Sequence, residues 1–193
     1  MLMAGNQYPG GRNMVKVENK NEDKRASYYW GRVRDYGKKY KWFHWSSVEL
    51  FLNLVYTYDI ISNHFAAKLK IKGLSRAAFN VLNIISRSEN KGCIHVELSE
   101  LLLVSRANVT GLVDSLARRG LVERRDSPSD RRLSIVKITR KGEELLNSTI
   151  PFYYLEMRKL ASVLNNEERD KLNKVLVKLR LKASALSKDG KRE

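Results

Sequence analysis

Cysteine is almost missing from this chain: Cys93 stands alone in 193 residues. An intrachain disulfide is therefore excluded, and the usage fits a reducing compartment. Histidine is nearly as scarce, with His44, His64 and His95 scattered. Cys93-x-His95 lacks a second cysteine and the other histidines are remote in sequence, so no metal is expected and Cys93 reads as a small buried hydrophobe. No apolar run reaches the length of a membrane span, and MLMAGNQYPGG lacks a signal-peptide core, so a cytoplasmic protein off the membrane is expected. Glycine-rich phosphate loops, G-x-S-x-G and paired catalytic carboxylates are absent too, which argues against an enzyme or a cofactor. Negative charge is short: 21 Asp and Glu face 37 Lys and Arg, a net +16. Such an excess favours polyanions, nucleic acid first.

What is present is organised around Val96 to Gly142. A short apolar segment, Val96 to Leu102, is followed by Val104-Ser105, where Ser105 can cap a new helix. That helix runs to about Arg119, with Val109, Leu112, Val113 and Leu116 on one face. Arg106, Asn108, Thr110, Asp114 and Arg118 occupy the other. Gly120 is placed to stop it. Two helices joined by a tight turn, the second polar outside, form a helix-turn-helix signal. Two short β-prone runs follow, Leu121 to Arg124 and Leu133 to Ile138. Between them Arg125 to Arg132 contains Pro128 with Ser and Asp neighbours, which is hairpin-turn chemistry with a basic tip. A helix-turn-helix followed by a basic hairpin is a winged helix.

The run Leu116, Arg119-Gly120-Leu121-Val122-Glu123-Arg124, then Asp130-Arg131-Arg132, then Ile138-Thr139-Arg140-Lys141-Gly142, resembles the multiple-antibiotic-resistance regulator (MarR) family. The resemblance covers about 47 residues strongly, and residues 46 to 187 more loosely through helix order. It implies a dimeric transcription regulator whose second helix enters the major groove of DNA. It also implies that Arg132 reaches the minor groove while Asp130 holds the wing, and that a small aromatic or phenolic effector acts in a cleft beside the dimer helices. Tyr56, Tyr58 and Phe65 are candidate lining residues for such a cleft. Gly111 departs from the family, which often has a basic residue there.

The rest of the chain supplies helices. Residues 46–70 suggest a long helix capped by Ser46 or Ser47, with one stripe through Val48, Leu52, Val55 and Tyr56. Phe51, Leu54, Tyr58, Ile61 and Phe65 form a second stripe, so both sides need covering and a second copy of the chain is the natural cover. Ser75 caps another helix, and Cys93-Ile94-His95 suggests a short strand beside the wing. Thr139 should cap a helix to about Leu164, with a kink or break at Pro151. Asn165 with Glu168 forms a capping-box variant for the last helix. Residues 1 to about 27 are expected to be disordered. Residues 28–45 hold all three tryptophans between basic residues, a pattern that suits stacking on nucleic acid, a membrane interface, or packing on the protein's own surface.

The expected fold is mainly α with a small β-hairpin: a winged helix-turn-helix domain plus a helical dimerisation domain. Residues 1–45 form a basic, aromatic extension, 46–74 and 143–187 the dimerisation region, 75–142 the DNA-binding domain and 188–193 a charged tail. The expected partners are double-stranded DNA at a pseudo-palindromic operator, a second copy of the chain and a small-molecule effector. Ser105, Arg106, Asn108, Thr110, Arg124, Arg125, Asp130, Arg131 and Arg132 are the expected DNA-binding residues. An architectural protein that coats DNA with little sequence preference is the main alternative, and a protein or membrane adaptor with a winged fold is a second.

Overall fold

The computed structural model describes residues 24–126 and 134–189. The elements in order are α1 (Lys24–Gly37), α2 (Trp45–Ile71), α3 (Arg76–Arg87), a 3-10 turn at Glu89–Lys91, β1 (Gly92–Ile94), α4 (His95–Leu102) and α5 (Arg106–Arg118). They continue with β2 (Val122–Asp126), β3 (Ser134–Ile138), α6 (Arg140–Ala161) and α7 (Asn166–Asp189). The chain divides into two compact units, 1–58 and 59–193.

In the first unit, α1 occupies part of the segment whose sequence suggested no element, and it starts inside the stretch expected to be disordered. Aromatic and basic residues alternate there without a clean apolar stripe, so helical periodicity is hidden. Side-chain contacts hold it instead. The Trp30 indole Nε1 donates to Glu49 Oε1 at 3.3 Å, its ring meets Tyr56 edge-on at 6.1 Å, and the Arg34 guanidinium lies 5.7 Å from the Trp45 ring centre. The α1 helix ends at a buried Gly37, where a Cβ would lie 2.1 Å from the Phe43 ring. The α2 helix starts at Trp45, one residue before the expected Ser46 or Ser47 cap. His44 takes the capping position: its carbonyl accepts from the Ser47 and Val48 amides, and its Nδ1 lies 3.1 Å from both serine hydroxyls.

The second unit contains the winged helix. Its core gathers Leu69, Phe79, Leu82, Ile85, Leu98, Val109, Val113, Leu116, Leu121, Val136 and Leu146. Burying each such side chain is worth roughly 1.5–3 kcal/mol. Ser75 caps α3 by accepting the Ala78 amide at 3.1 Å, as its position suggests. Among the described residues the sheet has the order β1-β3-β2 and is antiparallel throughout, with Cys93 opposite Val136 and Arg124 also opposite Val136. The short strand at Cys93 thus makes the wing a three-stranded sheet. Cys93 is buried and donates to Glu97 Oε2 at 3.1 Å; burial first, and then Glu97, push its thiol up to about 12. Such a thiol carries almost no thiolate at neutral pH and is a packing residue.

Of the kink or break expected at Pro151, a break is not found. The α6 helix continues through it to Ala161. A proline removes the bond to the carbonyl four residues back, here Asn147. Both Asn147 and Pro151 are exposed, so solvent can satisfy that carbonyl. The last helix is capped as expected: Asn165 Oδ1 accepts the Glu168 amide at 3.0 Å, and Glu168 Oε2 accepts the Asn165 amide at 2.8 Å.

Behind the core, Tyr153 stacks between Phe65 and Phe79, with centroids 4.7 and 4.6 Å away. One turn on, the buried Glu156 carboxylate receives Lys159 Nζ at 2.9 Å, His64 Nε2 at 3.0 Å and Lys68 Nζ at 3.5 Å. The Lys159 hydrogen bond, helped by His64 and Lys68, lowers its pKa from the usual 4.5 to about 2 against the opposing effect of burial. A depressed carboxylate stabilises the fold fully above its unfolded pKa, and that contribution fades as pH falls through the folded one. Urea midpoints measured between pH 4.5 and 2 should therefore fall less steeply for Glu156→Gln than for the parent. Parallel profiles would refute the assignment.

Candidate nucleic-acid interface

The α4–α5 turn sets the site. Leu103 closes α4 in the left-handed region at φ +55°, its amide bonded to Glu100 and the Val104 amide to Ser99. Ser105 then starts α5, its Oγ accepting the Asn108 amide at 3.3 Å. Val109, Val113 and Leu116 are buried and Leu112 is half-buried, which fixes the rotation of α5 about its axis. The opposite face is consequently turned to solvent. Ser105, Arg106, Asn108 and Thr110 are all exposed on the first turn and a half, as their spacing suggests. Thr110 Oγ1 donates back to the Arg106 carbonyl at 3.1 Å, leaving its oxygen lone pairs outward. Gly111 is exposed, and a Cβ there meets nothing within 4 Å, so the position can accept a side chain.

The far end of α5 is clasped. Gly120, at φ +68°, turns the chain, and the Leu121 amide reaches back to the Leu116 carbonyl at 3.0 Å, a Schellman arrangement. The Thr139 hydroxyl donates to the Gly120 carbonyl at 2.7 Å and accepts the Gly142 amide at 3.1 Å. The Thr139 amide bonds the Leu121 carbonyl at 3.1 Å, and Lys141 Nζ donates to the Arg119 carbonyl at 2.9 Å. Arg119 in turn donates to the Gly73 carbonyl at 2.8 Å, tying α5 to the end of α2. A Cβ on Gly142 would lie 2.1 Å from the Leu121 carbonyl oxygen.

At the wing base, Arg124 pairs with Asp114 on α5 and Arg125 with Glu123 at 2.7 Å. These residues are exposed or half-buried, so each pair contributes at most about 1 kcal/mol. Sequence reasoning placed Asp114 on the outer face but did not find its partner. Nothing local in the chain signals a contact set by sheet register. His95 sits within the field of this pair; burial first, then Arg124, lowers its pKa, while Asp114 opposes the shift. Asp130, Arg131 and Arg132 lie outside the described residues. Among the candidate effector-lining residues, Phe65 is buried in the second unit, whereas Tyr56 is half-buried and Tyr58 exposed in the first. No group of His, Cys, Asp or Glu placed to hold a metal occurs among the described residues. No described helix is long and apolar enough to cross a membrane.

Gly142→Ala tests the clasp. The closeness of the Leu121 carbonyl predicts a loss of stability of roughly 1–3 kcal/mol from forced backbone shifts, read as a lower denaturant midpoint. A variant as stable as the parent would show that the clasp yields freely.

The profile of the MarR family matches residues 72–133, from just after α2 to the residue before β3. The transcriptional repressor MprA of Escherichia coli K12 is 34% identical over 122 residues, which are 63% of this chain and 69% of that protein. The HTH-type transcriptional regulator MhqR of Bacillus subtilis is 30% identical over 137 residues, 71% of this chain and 93% of that protein. Among solved structures, Sco3205, a MarR family transcriptional regulator from Streptomyces coelicolor in complex with DNA, superimposes with a TM-score of 0.69. It covers 77% of this chain and 92% of that one at 21% identity, a likeness of fold. With the winged helix, the exposed polar face of α5 and these relatives in agreement, the chain belongs to the MarR family of transcriptional regulators.

Proposed function

We propose that this protein is a homodimeric, sequence-specific regulator of transcription that acts in the cytoplasm on double-stranded DNA. In this reading α5 lies in the major groove and the β2–β3 wing points toward the minor groove of a pseudo-palindromic site, with half-sites roughly 10 bp apart. The observation that carries the reading is the first turn and a half of α5. Ser105, Arg106, Asn108 and Thr110 are exposed together while the opposite face is locked into the core. Arg106 is suited to a bidentate contact with guanine, Asn108 to one with adenine, and Ser105 and Thr110 to phosphates. Arg124 and Arg125 at the wing base, with Asp130, Arg131 and Arg132 at its tip, complete the assigned set.

Dimerisation is supported by apolar faces that a single chain leaves bare. Phe51, Val55 and Tyr58 are more than half exposed in the first unit, as are Val163, Leu181 and Leu186 in the second. Apolar surface on this scale marks a protein interface. We assign 46–74 and 143–187 to dimerisation and 75–142 to DNA. A small-molecule effector enters this reading only by preferring one spacing of the two α5 helices over another.

Footprinting on genomic promoter fragments tests the reading: one protected palindrome is expected. Uniform protection would favour the DNA-coating alternative, for which the net charge of +16 is the specific support. Arg106→Ala should weaken binding to the protected site by about 1–3 kcal/mol and relax the preference at one base pair. Unchanged affinity and preference would remove Arg106 from the interface. Gly111→Arg should tighten binding to non-specific duplex, since space for the side chain exists. Weaker binding would mean that the bare backbone itself approaches the DNA.

A further inference from the structure

We propose that the turn from Tyr36 to Trp42 is a second nucleic-acid contact, separate from the winged helix, taking phosphates on its lysines and sugar or base surfaces on its rings. The inference rests on the reading that the protein binds DNA. Every residue of Lys38-Lys39-Tyr40-Lys41-Trp42 is exposed, and Trp42 is 87% exposed, Tyr36 63% and Tyr40 55%. Tyr36 and Tyr40 lean on each other with centroids 5.9 Å apart, yet each keeps more than half of its surface bare, and Trp42 nearly all of its own. The turn is nevertheless presented by ordered structure: on one side α1 is pinned through Trp30 to Glu49 and Tyr56, and on the other Phe43 and Trp45 lie 6.4 Å apart. Little ordering entropy remains to be lost on binding.

The chemistry of the patch selects among partners. Lys39 Nζ sits 3.5 Å over the Tyr36 ring and 5.1 Å from that of Tyr40, and Lys41 Nζ lies 5.0 Å from the Trp42 ring centre. Ammonium groups resting on ring faces suit a polyanion whose charges alternate with flat surfaces, which is what a nucleic-acid strand offers. Insertion into lipid would drag those cations toward the acyl region or strip them from the rings. A second copy of the segment is disfavoured by charge, because residues 1–45 carry +6. Among the described residues, the carboxylate paired with a lysine of the turn is Asp35, 2.8 Å from Lys38, and both groups are exposed enough for a phosphate to compete.

The test uses the full chain and a fluorescein-labelled mixed-sequence duplex. Affinity is measured over a KCl series for the parent, for Lys38→Gln/Lys39→Gln/Lys41→Gln and for Arg106→Ala, with circular dichroism as the fold control. The triple variant should flatten the slope of log Kd against log salt by about one unit per lysine that meets a phosphate. Duplex should also quench tryptophan emission in the parent, and the quenched component should vanish in Trp42→Phe. A parent that binds duplex and weakens with Arg106→Ala, yet shows the same slope in the triple variant and no tryptophan response, overturns this proposal alone. Failure of the parent to bind duplex at low salt overturns the DNA-binding reading and this inference with it. An unchanged slope with lysine-dependent pelleting on phosphatidylserine vesicles, or with a lysine-dependent shift in dimer dissociation, also overturns it, in favour of a membrane or of a self-interface.

Discussion

The structure depends on the Thr139 hydroxyl, which holds two chain ends at once. It donates to the Gly120 carbonyl where α5 stops and accepts the Gly142 amide where α6 starts. Gly142 lacks a side chain because the Leu121 carbonyl occupies that space. Through these few atoms the end of α5, Leu121 just before β2 and the first turn of α6 are held together. The direction in which α5 presents Arg106 and Asn108 follows from that joint. So does the placement of the wing, since β2 leaves it directly and β3 returns to it at Ile138, paired with Val122. The residues whose spacing resembles the MarR family, Arg119-Gly120-Leu121 and Thr139 to Gly142, are largely the residues of this joint. Their pattern is a mechanical requirement for aiming the helix, distinct from the residues that would read DNA.

What the sequence displays and what it hides divide along the same physical line. Caps at Ser75, Ser105, Thr139 and Asn165 and the stop at Gly120 are bonds between residues a few positions apart, so residue type and spacing reveal them. The burial of Val109, Val113 and Leu116 follows from a period that any helix must obey. The helix α1 was hidden because its stability comes from Trp30 against Glu49 and Tyr56, partners far along the chain. The α2 helix begins one residue before the two serines, whose hydroxyls lie against the His44 ring, a contact that residue type and spacing alone do not announce. Pro151 does not break α6, because the penalty for proline depends on whether the orphaned carbonyl is buried, which spacing cannot report. The exposed face of α5 was fully readable. The pairing of Arg124 with Asp114 was not, since sheet register decides it.

The same logic explains why the winged helix is the self-sufficient part. Its core is closed by side chains from α2 through α6, and Leu82, Ile85, Leu98, Val109, Val113 and Val136 have no measurable exposure. By contrast α7 fully buries none of its described side chains; Leu176 and Leu179 are half-buried, while Leu172, Val175, Leu181 and Leu186 lie open. A helix of this composition cannot hold its shape on propensity alone with strong preference, and tertiary packing normally supplies the remainder. On the proposed dimer that packing comes from a second copy. Folding of the α7 region, pairing of subunits and the spacing of the two α5 helices then become linked equilibria. The proposed dimer would not need a flexible DNA-reading module, because its variable quantity would be the distance between two rigid ones.

The ion pair between Arg124 and Asp114 fits that division of labour. Exposed on both sides, it is worth at most about 1 kcal/mol, too little to stabilise the wing by itself. It is sufficient to orient Arg124 over α5 while no phosphate is present, so that the guanidinium is not free to sample distant rotamers. In the proposed complex a phosphate at the groove edge would meet an arginine already held beside α5 and replace a weak partner with a stronger one. The carboxylate left behind is half exposed and remains hydrated, so the exchange leaves no buried charge unpaired. Weak pairing at an exposed edge thus gives order without a barrier to release. The buried Glu156 carboxylate is the opposite case, since losing Lys159 and His64 would leave its charge buried and unpaired.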